Sequence, residues 1–97
     1  MKPFYVYMLR CSDCSYYIGH TDDLEKRLAE HQAGFYAGYT STRLPVDLVF
    51  SQTFYSRDEA ITVEQQIKKW RRSKKEALIN ENWQTIKLLS KRISKNS

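Results

Sequence analysis

The chain has 97 residues, 11.5 kDa and a net charge of +5, which fits one domain of the usual size, about 100–150 residues, and excludes two. At 41% hydrophobic and 28% charged, with three glycines and two prolines, it is too apolar for disorder and too poor in Gly and Pro for a fibrous chain. The longest apolar run, Phe4 to Leu9, is shorter than a signal core of about 7–15 residues or a membrane span of about 18, and two cysteines cannot build a multi-bridge secreted framework, so a cytoplasmic setting without a membrane partner is expected.

Phe4 to Leu9 and Tyr16-Tyr17-Ile18 are aromatic and β-branched with the polar Cys11-Ser12-Asp13-Cys14-Ser15 between them, a pattern that predicts a β-hairpin. Thr21 offers an N-cap, Asp22 and Asp23 suit a first helical turn, and Leu24 and Leu28 recur one turn apart, so a helix is expected from about Asp22 to Gln32, stopping before Gly34. Gly34 to Pro45 reads as a functional loop ordered by Phe35, Tyr36 and Tyr39. Its Thr40-Ser41-Thr42-Arg43 segment could contact phosphates or simply cap a turn. Val46, Leu48 and Phe50 then alternate with polar or smaller residues, predicting a third strand with one buried face.

Ser56-Arg57-Asp58-Glu59 is a capping box. Ala60, Val63, Ile67 and Trp70 form one stripe of the helix it starts. A second box, Ser73 to Glu76, predicts that this helix ends near Arg72 and another begins. Ile86, Leu88, Leu89 and Ile93 allow a short, weakly held helix in the tail. Charge is uneven: Met1 to Ser56 carries five basic and six acidic residues, whereas Arg57 to Ser97 carries eleven basic and five acidic. Lys68, Lys69, Arg71, Arg72, Lys74 and Lys75 concentrate that excess, suggesting either a polyanion-facing track or a solvated helix face.

At about 100° per residue, Arg27 and His31 fall within about 60° of Leu24, on one face beside the core stripe. Glu64 lies against the Ala60 and Ile67 side of the next helix, where a carboxylate is costly unless paired or metal-bound. Each residue alone has an ordinary role: Arg27 as surface cation, His31 as a hydrogen-bonded core histidine, Glu64 as partner to Lys68. Together they supply a metal ligand, a cation for developing phosphorane charge and, with Tyr or His, a proton acceptor. The remaining acids sit at helix starts or in a strand, which favours a single Mg²⁺ or Mn²⁺ on Glu64 over a two-metal design. Cys11, Cys14, His20 and His31 are chemically a zinc set, but their spacing fits no usual zinc module.

Tyr5-Val6-Tyr7 and Tyr17-Ile18-Gly19, followed by Thr21, Arg27-Leu28, His31 and later Glu64, Ile67-Lys68 and Trp70, resemble the GIY-YIG nuclease superfamily over roughly Phe4 to Leu78, most of the chain, and in the size of its small stand-alone bacterial branch. The first motif departs from the pattern, with Tyr5 for glycine and Val6 for isoleucine, and Asn80 and Asn82 are candidates for a late asparagine by position only. The resemblance implies an α+β fold, a three-stranded antiparallel sheet flanked by helices with a short basic C-terminal helical tail. The domain is expected over 1–82, with 83–97 as a C-terminal extension that is either part of the same domain or partly disordered. Carried onto this sequence, Tyr7 and Tyr17 with Gly19 match the two named motifs. Arg27 matches the arginine that stabilises the transition state, His31 the histidine one turn later and Glu64 the metal-binding glutamate.

The implied activity is metal-dependent phosphodiester hydrolysis in DNA repair or processing, structure-selective or non-specific, with DNA ahead of RNA as substrate. A water near Tyr7 would attack phosphorus, with His31 orienting the tyrosine or moving its proton. Arg43 and the basic run would bind the nucleic-acid backbone. The alternative is a catalytically silent nucleic-acid-binding module on the same fold.

Overall fold

In the computed structural model, which describes residues 2–35 and 38–81, the elements run β1 (Phe4–Arg10), β2 (Tyr16–Thr21), α1 (Leu24–Gln32), β3 (Asp47–Phe54) and α2 (Arg57–Lys68), followed by a third helix, α3, over 72–81. The strands form one antiparallel sheet in the order β2-β1-β3. This is the expected α+β architecture. Among the described residues no helix is long and apolar enough to cross a membrane. Tyr36, Asn82 and the expected extension over 83–97 lie outside the described residues.

Alternation along β1 sends its side chains to two separate cores. Val6 and Met8 join Ile18 of β2, Phe50 of β3 and Ala60 and Ile67 of α2, with Trp70, Leu78 and Ile79 packed around them. Tyr7 and Leu9 join Cys11 and Val46 on the opposite face, packed against Leu24 and Leu28 of α1. Each fully buried aliphatic side chain contributes about 1.5–3 kcal/mol, so the central strand holds both layers together.

Several boundaries differ from expectation for local reasons. Asp23, not Thr21, caps α1: its carboxylate accepts from the Lys26 amide at 3.1 Å. Thr21 is the last residue of β2, its hydroxyl accepting from the Asp23 amide at 3.1 Å. Gly34, at φ +76°, ends α1 in the left-handed conformation, with the Phe35 amide bonded back to the Glu30 carbonyl at 2.9 Å. The expected single buried face of β3 is split by a bulge: Leu9 pairs with Leu48 while Met8 pairs with Phe50. The extra residue, Val49, turns Leu48 and Phe50 to opposite faces, and Leu48 remains 41% exposed.

Ser56 caps α2 as expected, its hydroxyl accepting from the Glu59 amide at 3.4 Å. The helix ends at Lys68 rather than near Arg72, and the first turn of α3 is anchored by the Arg71 carbonyl, which accepts from the Lys74 and Lys75 amides. Ser73 therefore lies inside α3. Asp23→Ala, which removes the α1 cap, is predicted to cost about 1 kcal/mol and lower Tm by about 4–8 °C in a domain of this size. A thermal melt monitored by circular dichroism checks this, and an unchanged Tm would reject the assignment.

Candidate active site

The hairpin register sets Tyr7 opposite Gly19 on the α1 side of the sheet. A Cβ at position 19 would lie 2.7 Å from the Tyr7 hydroxyl and 3.2 Å from the Tyr17 ring. Glycine is therefore required there by space. The phenol it admits lies 2.9 Å from His31 Nε2, and His31 Nδ1 lies 2.9 Å from the Thr40 hydroxyl. Tyr7 and His31 are both fully buried and Thr40 is 2% exposed. The Tyr17 ring packs at 5.1 Å from His31 and 6.3 Å from Tyr7.

Tyr7 is fully buried, with half-buried Tyr17 and the Gly19 backbone packed around its hydroxyl. Sequence reasoning missed Thr40 as a partner of His31, having weighed it as a phosphate contact or a turn residue. No local pattern links positions 31 and 40, since the loop alone brings them together.

The second half of the site lies on the other face. Ala60, Glu64 and Ile67 are the buried residues of α2, so Glu64 occupies the apolar side where its spacing placed it. His20, opposite Val6 and hence facing α2, donates from Nδ1 to Glu64 Oε1 at 2.8 Å, while Lys68 Nζ lies 3.2 Å from Oε2. Lys68 is nearly half exposed and such a pair contributes about 0–1 kcal/mol, whereas losing the partner of a buried polar group costs about 1–3 kcal/mol. His20 is therefore the principal hold on the carboxylate, and sequence reasoning considered it only as a zinc ligand.

The two halves meet at the same residue. Arg27 Nη1 lies 3.5 Å from the His20 carbonyl, and its Nε lies 3.6 Å from Glu30. The side chain of His20 thus binds Glu64 and its backbone binds Arg27, so the candidate residues wrap around β2, an edge strand of the sheet.

Burial, with a smaller contribution from the Arg27 charge, pushes the His31 pKa below its ordinary 6.5, against a weaker opposite pull from Glu30. His31 is therefore neutral at pH 7. Burial raises the pKa of Cys11, which keeps this thiol protonated and argues against a redox role. Hydrogen bonds from the Ser15 hydroxyl and amide lower the pKa of Asp13 in the hairpin loop.

Other expected nucleic-acid contacts are partly engaged within the protein. The Arg43 guanidinium lies 2.9 Å from Asp13 and from the Tyr39 carbonyl, and 3.9 Å from the Tyr39 ring centroid. It ties the loop to the hairpin. Phe35, expected to order this loop, is 77% exposed, whereas Tyr39 stacks on Tyr17. Arg72 pairs with Glu76 and covers Tyr16, and Lys74 covers Trp70. Lys69 and Arg71 are exposed, Lys75 is half-buried, and Asn80 is exposed on α3.

Glu64 supplies one deep carboxylate, held by His20 on Oε1 and Lys68 on Oε2, and no cluster of three or more His, Cys, Asp or Glu able to hold a metal occurs among the described residues. A single carboxylate fits one hard divalent cation completed by water and phosphate. It does not fit a tetrahedral zinc site or a two-metal centre.

The sequence profile of the GIY-YIG catalytic domain matches residues 3–77. The chain belongs to the GIY-YIG family. A UPF0213 protein of Streptococcus pneumoniae is 48% identical over 78 residues, covering 80% of this chain and 79% of that protein. A UPF0213 protein of the archaeon Halobacterium salinarum is 47% identical over 74 residues, covering 76% and 96% respectively. The solution structure of the UPF0213 protein of Bacillus halodurans aligns with a TM-score of 0.54 at 41% identity, covering 80% of this chain and 83% of that one. That of an E. faecalis protein aligns with a TM-score of 0.58 at 39% identity, covering 82% and 85%. This GIY-YIG chain thus has small single-domain relatives in bacteria and archaea, within a nuclease superfamily.

Because the His31 pKa is lower folded than unfolded, the unfolded state binds the extra proton. The stability contributed by burying neutral His31 is fully present above about pH 6.5 and is lost as pH falls below it. Urea unfolding between pH 7.5 and 5 is predicted to show stability dropping with acid, and His31→Gln to flatten that slope. An unchanged slope in the variant would contradict the assignment.

Proposed function

We propose that this GIY-YIG protein is a metal-dependent endonuclease that hydrolyses phosphodiester bonds at the β2 edge, with DNA ahead of RNA as substrate and a structure-selective or non-specific role in DNA repair or processing. The observation carrying this reading is the meeting of Arg27 and Glu64 at His20 beside the buried Tyr7–His31 pair.

Glu64 would hold the ion, with His20 fixing its carboxylate. A bound Mg²⁺ or Mn²⁺ would supply Lewis acidity to the phosphate oxygens. Arg27, on the opposite side of β2, offsets the negative charge that develops on the phosphorane. Tyr17 covers the phenol from bulk solvent, and the attacking water would be the one admitted between the Tyr17 ring and the Tyr7 oxygen. As the water oxygen bonds to phosphorus, the water's proton passes to the Tyr7 oxygen and the phenolic proton to His31 Nε2. The bond from phosphorus to the leaving oxygen breaks, and that oxygen keeps the electron pair until it is protonated. His31 suits this step because it starts neutral.

Lys69, Arg71 and Lys75 are the remaining candidates for a phosphate-backbone track, supported by Lys68, Arg72 and Lys74 once their internal contacts exchange for phosphate. Arg43 acts through the loop it braces. The basic run supplies phosphate contacts, which supports readout of shape or backbone over sequence.

Labelled single-stranded, duplex, flapped and branched DNA and RNA, incubated with Mg²⁺ or Mn²⁺, test the reading. Metal-dependent cutting by the wild type is expected, lost in Glu64→Gln and reduced about 10²–10³-fold in Arg27→Ala, with both variants folded by circular dichroism. No cutting by the wild type, or equal cutting by Glu64→Gln, would contradict it and move the assignment to a binding module.

A further inference from the structure

Thr40 lies in the loop between α1 and β3, outside every motif that marks the site, yet it is 2% exposed and its hydroxyl lies 2.9 Å from His31 Nδ1. A buried threonine has no reason to turn its hydroxyl inward unless a polar group needs it, because an orphaned buried hydroxyl costs about 1–3 kcal/mol. His31 is that group, and its other nitrogen meets Tyr7 at 2.9 Å. Three buried polar side chains, from β1, α1 and the loop, therefore form one continuous hydrogen-bonded row.

In a neutral imidazole one nitrogen donates and the other accepts, so the row has two possible directions. In one, the Tyr7 hydroxyl donates to Nε2 and Nδ1–H donates to Thr40. In the other, Thr40 donates to Nδ1 and Nε2–H donates to the Tyr7 oxygen. A phenol with an ordinary pKa near 10 is much the stronger donor, while an aliphatic hydroxyl, which does not ionise in this range, is the better acceptor. Each bond in such a row polarises the next, strengthening the favoured direction.

We infer that Thr40 is a positioning residue that holds His31 as the Nδ1–H tautomer, so that Nε2 accepts the Tyr7 proton and the lone pairs of the Tyr7 oxygen face the substrate side. The opposite tautomer would direct a proton into the Tyr7 oxygen from His31, leaving the phenol O–H pointing outward. Tyr7 would then donate a proton to the water where hydrolysis needs one removed. The loop thereby decides whether the tyrosine can act as a base. Its tether to the hairpin, through Arg43 to Asp13 at 2.9 Å and the Ser12 amide to the Arg43 carbonyl at 2.9 Å, keeps Thr40 in place. This assignment deepens the nuclease reading and rests on it for its catalytic meaning, while the tautomer itself is a property of the protein without substrate.

Long-range ¹H–¹⁵N correlation spectra of the histidine ring at pH 7.5 read the tautomer directly. The wild type and Thr40→Ser are expected to show His31 with a protonated Nδ1 and a bare Nε2. Thr40→Val keeps the shape and removes the acceptor, and is expected to move His31 to the Nε2–H tautomer or a mixture. An Nε2–H tautomer in the wild type, or an unchanged tautomer in folded Thr40→Val, would overturn the inference. If Thr40→Val fails to fold, the wild-type and Thr40→Ser spectra still decide.

Turnover is scored separately. On any substrate the wild type cuts, Thr40→Val is expected to lower kcat at least tenfold with KM unchanged, and Thr40→Ser to retain activity. A wild type that cuts nothing would refute the nuclease reading and leave the tautomer result standing. An Nδ1–H tautomer whose loss leaves kcat unchanged would refute the catalytic role assigned to Thr40.

Discussion

Everything in this fold turns on the close approach of a phenol to a peptide backbone. The Tyr7 hydroxyl occupies the space that a side chain at position 19 would need, and the antiparallel register makes this a direct cross-strand pair. A buried phenol must find a hydrogen-bond partner. His31 supplies it from α1, so one tyrosine ties the central strand, the edge strand and the first helix to a common geometry. Cβ-bearing residues at position 19 would force the ring aside and take the His31 contact with it.

The same strand arrangement explains why the site has two halves. Because side chains alternate along β2, Gly19 faces Tyr7 and α1 while His20 faces α2. Glu64 and the Tyr7–His31 pair are thus separated by the thickness of the sheet, and only the edge strand is placed to connect them. His20 does so with two different groups, its ring to Glu64 and its carbonyl to Arg27. A substrate phosphate reaching both a metal on Glu64 and the guanidinium of Arg27 has to approach that edge. Under the proposed function the edge of β2, which pairs with no further strand among the described residues, would receive substrate.

Much of this was legible from local pattern. The hairpin followed from two aromatic, β-branched segments around a polar loop, the α2 start from its capping box, and the burial of Glu64 from its position between Ala60 and Ile67. The α1 cap was displaced by two residues because Thr21 pairs with Tyr5 in the sheet, leaving Asp23 to bond the Lys26 amide. Strict alternation failed in β3 because a bulge has no signature in Val46 to Phe50 alone. His20 and Thr40 were missed for a different reason: their partners lie 44 and 9 residues away, and a tertiary contact of that kind leaves no spacing to read. The basic run was plain in the sequence, but its contacts with Glu64, Glu76, Tyr16 and Trp70 are properties of the folded surface.

The proposed nuclease activity stands or falls on one divalent ion binding at Glu64, whose carboxylate His20 holds, and acting with Arg27 across the β2 edge. Titrating Mn²⁺ into the ¹⁵N-labelled protein and recording paramagnetic broadening of its amide and histidine-ring signals tests this most directly. The account predicts saturable broadening centred on His20 and Glu64 and extending to Arg27. Broadening centred instead on the acidic start of α1, at Asp22, Asp23 and Glu25, or none at all, would contradict it.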